Sequence, residues 1–482
     1  MHARPITVAV EGCCHGELDS IYAAVEESSK AGAKVDLLLI CGDFESIESE
    51  SDLENIAVPP KYRHMNTFHE YVTGAKVAPV PTVFVGGNHE ASNVLQSLYY
   101  GGYVAPNIYF LGFAGVVNFG FLRICGVSGI QNDAHYQLGH YERPPYDTSS
   151  LRSVYHIREL EIYRMAHLRY TASFAAPGDP PVAAAAAAAA GSGAGAERVN
   201  MFLSHDWPRH IWQYGDCQQL LRKKPGLADD IKKAQLGSAP LWDLLTQLQP
   251  HFWFCAHHHI KFAAVVPWQD AQPSVPPPGE AGTAEGEEEA PSAPEASEAA
   301  PSPPVPLCAP SGGRATRFLS LDKVLPGRDF MQILTIPAPA GFAAAQGSNT
   351  DTDAPYSLEW DVEWLAILQR THHLLHTGQQ RLSVPATLQP MASAANLQVL
   401  RSRLQTQTGV AGLVIPSIEP REPLGGGAGE VTYHRGNAQT DTLLQALELP
   451  HVWTISVPEM EGGTMAAAAA QVLHVDENEI DI

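Results

Sequence analysis

The sequence predicts an α/β fold, and three observations predict it: short near-continuous apolar runs, amphipathic helical stretches between them, and glycines where the runs end. "ITVAVEG" opens the chain as a strand. "ELDSIYAAVEESSKAG" then puts Leu18, Ile21, Tyr22 and Val25 on one helical face, with Gly32 as the stop. "VDLLLICGD" and "PTVFVGGNH" follow as strands whose lack of polar alternation marks them as covered on both faces. "RICGVSGI", "NMFLSHD" and "HFWFCAHHH" are three more. Between the last two, "GSAPLWDLLTQLQP" carries Leu241, Leu244, Leu245 and Leu248 at helical spacing, with Ser238 as cap, Pro240 in the first turn and Pro250 beyond the end. Further on, "TRFLSLDKVLPGRDFMQILTI" restores order, and "SLEWDVEWLAILQR" reads as a helix with Trp360, Trp364, Ile367 and Leu368 on one face.

A chain of 482 residues is long enough for two or three domains. Its apolar stretches fall short of the roughly 18 residues a membrane helix requires, and "MHARPITVAV" lacks the apolar core and cleavage site of a secretory signal. An odd count of 7 cysteines then points to reduced thiols in cytosol or nucleus, free to bind metal. The net charge of −22 argues against a general polyanion binder, but it is unevenly placed. Residues 1–266 hold 20 Lys+Arg against 26 Asp+Glu, and the rest hold 10 against 26. Segments 177–196 and 268–314, rich in Ala, Gly, Pro and Glu, cannot bury enough apolar surface to offset chain entropy and are expected to be disordered insertions. The expected organisation is a catalytic unit over 1–267, its remainder over 315–372 together with the start of a smaller C-terminal domain, and a region over 373–482 ending in the acidic, mobile tail "HVDENEIDI".

Five of the apolar strands end in potential metal ligands. Cys13 and His15 follow the first, Asp43 the second, Asn88 and His89 the third, His205 the fourth, and His257 with His259 the fifth. Ligands in open α/β sheets gather at the carboxyl ends of strands, so these residues are expected to converge on one crevice. Their number fits two divalent metals. A pair of cations about 3.5–4 Å apart needs a bridging carboxylate, and Asp43 is the candidate. Cys13, His15 and His259 are assigned to one metal, and Asn88, His205 and His257 to the other.

"GD", "GNHE" and a late H-x-H, in that order, resemble the calcineurin-like metallophosphoesterases, with Cys13 where the first motif usually has aspartate. Together with "GCCHGELD", "VPPKYRHM", "GGYVAPNIYFLG", "LSHDWP" and "AHHHIKF", the chain is similar to the RNA lariat debranching enzymes over 6–267 and again from about 315 to 370. The resemblance implies a metallophosphoesterase β-sandwich flanked by helices, with a smaller C-terminal domain packed on it. It implies hydrolysis of the 2′–5′ phosphodiester at the branch of excised intron lariat RNA by a metal-activated hydroxide, with His89 as general acid, and nuclear residence. A thiolate at Cys13 favours Fe²⁺ and Zn²⁺ over Mg²⁺, with Mn²⁺ as a further candidate. Residues 128–158 resemble the family's lariat-recognition loop. From it Ser128, Gly129, His135, Tyr136, Tyr141 and Arg158 are candidate RNA contacts, as are Lys61, Tyr62, Arg63 and His64. His258 replaces the usual apolar residue between the late histidines and is expected to point away from the metals.

Each piece taken alone has a plainer reading. Cys13 and Cys14 are also ordinary buried cysteines, "GGNHE" a strand-to-helix turn, His257–His259 a surface cluster, and "KYRH" a solvated basic face. Asp206, Trp207 and Pro208 read as the cap and packing of a helix start. Five strand ends, each closing on a donor of the right kind, outweigh those readings together. The competing functions are a phosphoesterase acting on other esters and an inactive protein-binding scaffold, which would have lost ligands.

Overall fold

The computed structural model describes residues 3–168, 198–268, 314–339, 342, 356–385, 394–409, 413–423 and 437–452. The expected insertions at 177–196 and 268–314, except the two boundary residues 268 and 314, and the acidic tail lie outside the described residues. Thirteen strands are described: β1 (Ile6–Glu11), β2 (Leu37–Ile40), β3 (Thr82–Phe84), β4 (Gly102–Ala105), β5 (Ile108–Phe110), β6 (Ala114–Phe119), β7 (Leu122–Val127), β8 (Val199–Ser204), β9 (Phe252–Cys255), β10 (Phe262–Trp268), β11 (Arg314–Ser320), β12 (Met331–Ile336) and β13 (Leu358–Trp360). They form two sheets, ordered β12-β1-β2-β3-β5-β4 and β10-β11-β9-β8-β7-β6-β13.

Period-2 alternation explains how the sheets stack. Val8, Val10, Leu37, Leu39 and Val83 of the first sheet face Val117, Phe119, Leu122, Ile124, Met201, Leu203 and Phe254 of the second. The alternate residues Ala9, Leu38, Ile40 and Phe84 pack under helix Leu18–Lys30 through its Leu18, Ile21, Tyr22 and Val25. On the outer face of the second sheet, Val116, Cys125, Val127, Phe202 and Trp253 meet helices Ala239–Leu248 and Val362–Thr371. Both sheets are therefore covered twice, which is why their strands read as unbroken apolar runs. Ser238 caps its helix as expected, its side chain accepting from the Leu241 amide at 3.3 Å.

The chain beyond the second insertion completes both sheets. β11 pairs parallel to β9 and antiparallel to β10, while β12 runs antiparallel along β1. One element differs from the sequence reading: Trp360 lies on β13, paired with Val117 of β6, and not on a helix. Asp361 interrupts the helical pattern by capping the next element, its carboxylate accepting from the Trp364 amide at 3.0 Å. Asp361 and Glu363 also accept from Nε and Nη2 of the buried Arg123 guanidinium at 2.8–2.9 Å, tying the C-terminal part to β7. Gln439 supplies edge strand β4 with a surrogate partner, its amide bonding both the N–H and the C=O of Tyr103 at 2.8 Å. Among the described residues no helix is long and apolar enough to cross a membrane.

Candidate metal centre

Strands β1, β2 and β3 run parallel in one sheet, and β7, β8 and β9 run parallel in the other. Their carboxyl ends open on the same edge of the sandwich. The turns that leave them are tight, and His15, Asp43, Glu45, His257 and His259 all have φ between 45° and 65°. Non-glycine residues in that left-handed region cost about 1–3 kcal/mol each, and five at one edge mark a site whose geometry outranks local stability. Two glycines permit the close approach: a side chain at Gly87 would strike the Asp43 carboxylate, and one at Gly42, where φ is 116°, would strike the His205 ring.

The polar atoms converge in two groups around Asp43. In the first, His15 Nε2 lies 3.2 Å from His259 Nε2 and 3.7 Å from Asp43 Oδ2. Cys13 Sγ joins this group, its sulfur accepting from the His257 amide at 3.2 Å. In the second, His205 Nε2 lies 3.1 Å from Asn88 Oδ1 and 3.3 Å from Asp43 Oδ1, with the His257 ring 5.1 Å from that of His205. One carboxylate thus offers a separate oxygen to each group.

Hydrogen bonding fixes which imidazole nitrogen faces inward. His205 Nδ1 meets the Cys41 carbonyl at 2.9 Å, and a carbonyl only accepts, so Nδ1 carries the proton. On His15, Nδ1 faces the Glu45 carboxylate at 3.4 Å in the same manner. The Nε2 atoms are left with lone pairs aimed at a second imidazole, an amide oxygen and a carboxylate. Positive charge in its midst favours such a set, so the residues fit divalent cations.

The electrostatics agree. Burial alone would raise the Asp43 pKa, but His205, His89 and His15 hold it well below the usual carboxylate range. Burial opposes charge on His205, and the Asp43 carboxylate outweighs it and draws the pKa up. Burial, with Asp43 and Glu11 nearby, pushes the Cys13 thiol well up, a barrier that a cation held there would offset by favouring the thiolate. Cys14 is buried on the helix side of the sheet, in the plainer role foreseen for it.

Profile comparison now places the chain. The family described as "Calcineurin-like phosphoesterase" matches residues 6–261, and "Lariat debranching enzyme, C-terminal domain" matches 313–452. A lariat debranching enzyme of Arabidopsis thaliana is 36% identical over 446 residues, covering 92% of this chain and 87% of that one. The chain belongs to the lariat debranching enzyme family. Those of Drosophila pseudoobscura pseudoobscura and Homo sapiens are 46% and 42% identical over 381 and 379 residues, each covering 78% of this chain. The chain spans 62% and 56% of their respective lengths.

Around this debranching-family centre, the structure places the other residues singled out in the sequence. Arg158 is buried, and its Nη2 donates to Glu142 at 2.6 Å and to the Ser153 carbonyl at 3.2 Å, so it shapes the loop over 128–158 from within. Ser128 accepts from the Gly86 amide and donates to the Gly112 carbonyl, while Gly129, at φ 92°, bonds the Gly86 carbonyl. These two fasten the loop to the Asn88–His89 turn. Tyr141 bonds Ser153, and His135 and His156 stack with their Nδ1 atoms 2.8 Å apart. Tyr136 is half-buried against the second sheet's outer core, and its carbonyl caps the Glu159 amide. Arg63 is committed to the Val58 carbonyl and Glu54, whereas Lys61, Tyr62 and His64 are exposed, with Lys61 lying over the Tyr62 ring. Asp206 caps no helix; it accepts from the amides of Trp207 and of Gln131 in the loop. His258 turns away from the Asp43 groups to lie against the Trp207 ring.

Two carboxylates that the sequence reading left without a role organise the centre. Glu90, the last residue of "GNHE", accepts from the amides of Phe44, Gly87 and Glu45 at 2.8–3.0 Å, binding the Asp43 turn to the Asn88 turn. Burial and the Asp43 charge push its pKa up to about 8 against the pull of those three N–H groups. Glu45 orients His15. The signal for both was their place inside the motifs, "GDFES" and "GNHE", next to residues already singled out.

Proposed function

We propose that the chain hydrolyses the 2′–5′ phosphodiester at the branch of excised intron lariat RNA. The observation that carries this is the placement of Asp43 between two donor groups of the right chemistry, beside a long wall over 128–158 that is fastened to the same turns. The family and the curated relatives named lariat debranching enzymes support the choice of substrate.

Two divalent cations held by these donors would draw charge from the scissile phosphate and lower the pKa of a water from 15.7 to roughly 7. Cys13, His15 and His259 would hold one, Asn88, His205 and His257 the other, and Asp43 both. We assign Fe²⁺ and Zn²⁺ to these sites first, since a thiolate and four imidazoles suit borderline-soft ions, with Mn²⁺ next.

The chain's own residues do the rest. His89 stands beside the first group, its ring 5.4 Å from that of His15, and its amide donates to Asp43 Oδ1 at 2.9 Å, which anchors its turn. It supplies the proton taken up by the departing 2′-oxygen, while the incoming water's oxygen bonds to phosphorus as the P–O2′ bond breaks. A ribose alkoxide is a poor leaving group, so this proton governs the rate. Burial presses the His89 pKa down and the Asp43 charge opposes it; the anionic phosphate would add to that opposition and favour the protonated ring. Nuclear residence follows from this substrate and belongs to the same proposal.

Anaerobic reconstitution with Fe²⁺, Zn²⁺ or Mn²⁺, followed by incubation with a synthetic 2′–5′ branched oligoribonucleotide beside a linear control, tests the reading. Release of one arm from the branched molecule alone is expected. Equal cleavage of both, or of neither, would sink it.

A further inference from the structure

Across the edge of the second sheet, the parallel strands β7, β8, β9 and β11 deliver their following turns in that order. The wall over 128–158 follows β7, His205 follows β8, and the late histidines follow β9. The turn after β11 begins at Leu321 and places Lys323 on the side of the metal centre opposite the wall. It lies directly against the first ligand turn: Lys323 and Cys13 form a backbone bridge, and the Cys13 amide bonds the Asp322 carbonyl at 3.4 Å.

Positive charge is concentrated there in a chain whose net charge is −22. Arg328 is paired with Asp322 at 3.1 Å, and Lys261 with Asp329 at 3.3 Å. Lys323 is half-buried, and among the described residues its ammonium meets neither a carboxylate nor any hydrogen-bond acceptor. Burial works against its charge, as do Arg328 and Lys224, which closes helix Cys217–Lys223, while Cys13 and the neighbouring Asp322 favour it. A partly desolvated cation with like charges beside it and no direct partner gains from an anion that completes the set.

We infer that the turn carrying Lys323 is a binding site for the phosphodiester backbone of single-stranded RNA, taking an arm of the branch that leaves the metal centre on the side away from the wall. The identity of the arm rests on the function proposed above; the affinity for RNA backbone does not. A branch nucleotide carries three chain directions, and a wall on one side of the crevice cannot guide them all. Lys323 makes the phosphate contact, with Lys224 and Arg328 shaping the local field.

The test is equilibrium binding of a labelled single-stranded oligoribonucleotide to the metal-loaded chain by fluorescence anisotropy across a salt series. Lys323→Gln is expected to weaken binding roughly three- to tenfold at low salt and to reduce the slope of log affinity against log salt by about 0.7, the value for one phosphate contact on a single strand. Lys323→Arg keeps the slope, and Lys30→Gln, on the exposed face of helix Leu18–Lys30, leaves both quantities unchanged. An unaltered slope in Lys323→Gln, or no measurable binding by the unsubstituted chain, overturns the inference. Because nothing need be cleaved, RNA binding through Lys323 by a chain that leaves the 2′–5′ bond intact would sink the debranching reading alone. Debranching with an unaltered slope in Lys323→Gln would sink the RNA site alone.

Discussion

In the crevice, His15, Asp43, Asn88, His205 and His259 aim acceptor atoms at one another across 3.1–3.7 Å. In the wall beside it, Glu142, Ser153 and Arg158 do the reverse, donors meeting an acceptor, with Ser153 Oγ and Arg158 Nη2 both 2.6 Å from Glu142 Oε1. Similar residue types therefore do opposite work. The crevice stores an unmet demand for positive charge, which cations fill; the wall spends its charges internally and gains a fixed shape. Substitutions in the first should change chemistry and leave the fold, and substitutions in the second should change the fold first.

The largest effect tests the crevice at its centre. Asp43→Ala removes the carboxylate shared by both groups, and turnover of branched RNA is expected to fall more than about 10⁴-fold with the chain still folded by circular dichroism. His89→Ala should lose about 10³-fold in turnover while metal content, read by elemental analysis, stays that of the unsubstituted chain. Unchanged turnover would remove His89 from the reaction.

The wall responds in another currency. Arg158→Met strands the buried Glu142 carboxylate, and denaturant unfolding should register a loss of about 3–5 kcal/mol. Pairing it with Glu142→Met is expected to restore much of that loss, because the uncompensated charge is gone. If Arg158→Met instead left stability intact and raised only KM, the wall would contact RNA directly and the contrast between the two regions would collapse.

The smallest effect sharpens the border between them. Glu45→Ala frees the His15 ring, and metal affinity at the first group should drop about 10- to 100-fold in a competition titration against a chelator. Glu45→Gln, whose amide oxygen still accepts from Nδ1, should recover most of the affinity. A drop as large in Glu45→Gln as in Glu45→Ala would assign Glu45 a charge effect and not an orienting one.

How much was legible in the sequence follows the same division. Cys13, His15, Asp43, Asn88, His205, His257 and His259 were readable because each sits at the end of an apolar strand, and strand ends in parallel sheets have one destination. Leu241 and its helical partners were readable for the same kind of reason, a period that only one secondary structure satisfies. The burial of Arg158 is not legible, because composition records that a loop contains arginine but not that Glu142, 16 residues earlier in the chain, lies against it. Trp360 was placed on a helix because "SLEWDVEWLAILQR" keeps helical spacing through Asp361; only pairing with β6, more than 200 residues away, makes its first part a strand. Lys323 was invisible for the same cause. Its role depends on β11 entering the sheet next to β9, a register that no local pattern announces.

The central claim is that a shared carboxylate gathers two cations between these strand ends. Elemental analysis of the chain after anaerobic reconstitution, beside Asp43→Ala treated identically, tests it most directly. About two divalent ions per chain are expected, falling to one or fewer in the variant. A folded unsubstituted chain that takes up no metal, or an Asp43→Ala chain that keeps both ions, would contradict the account.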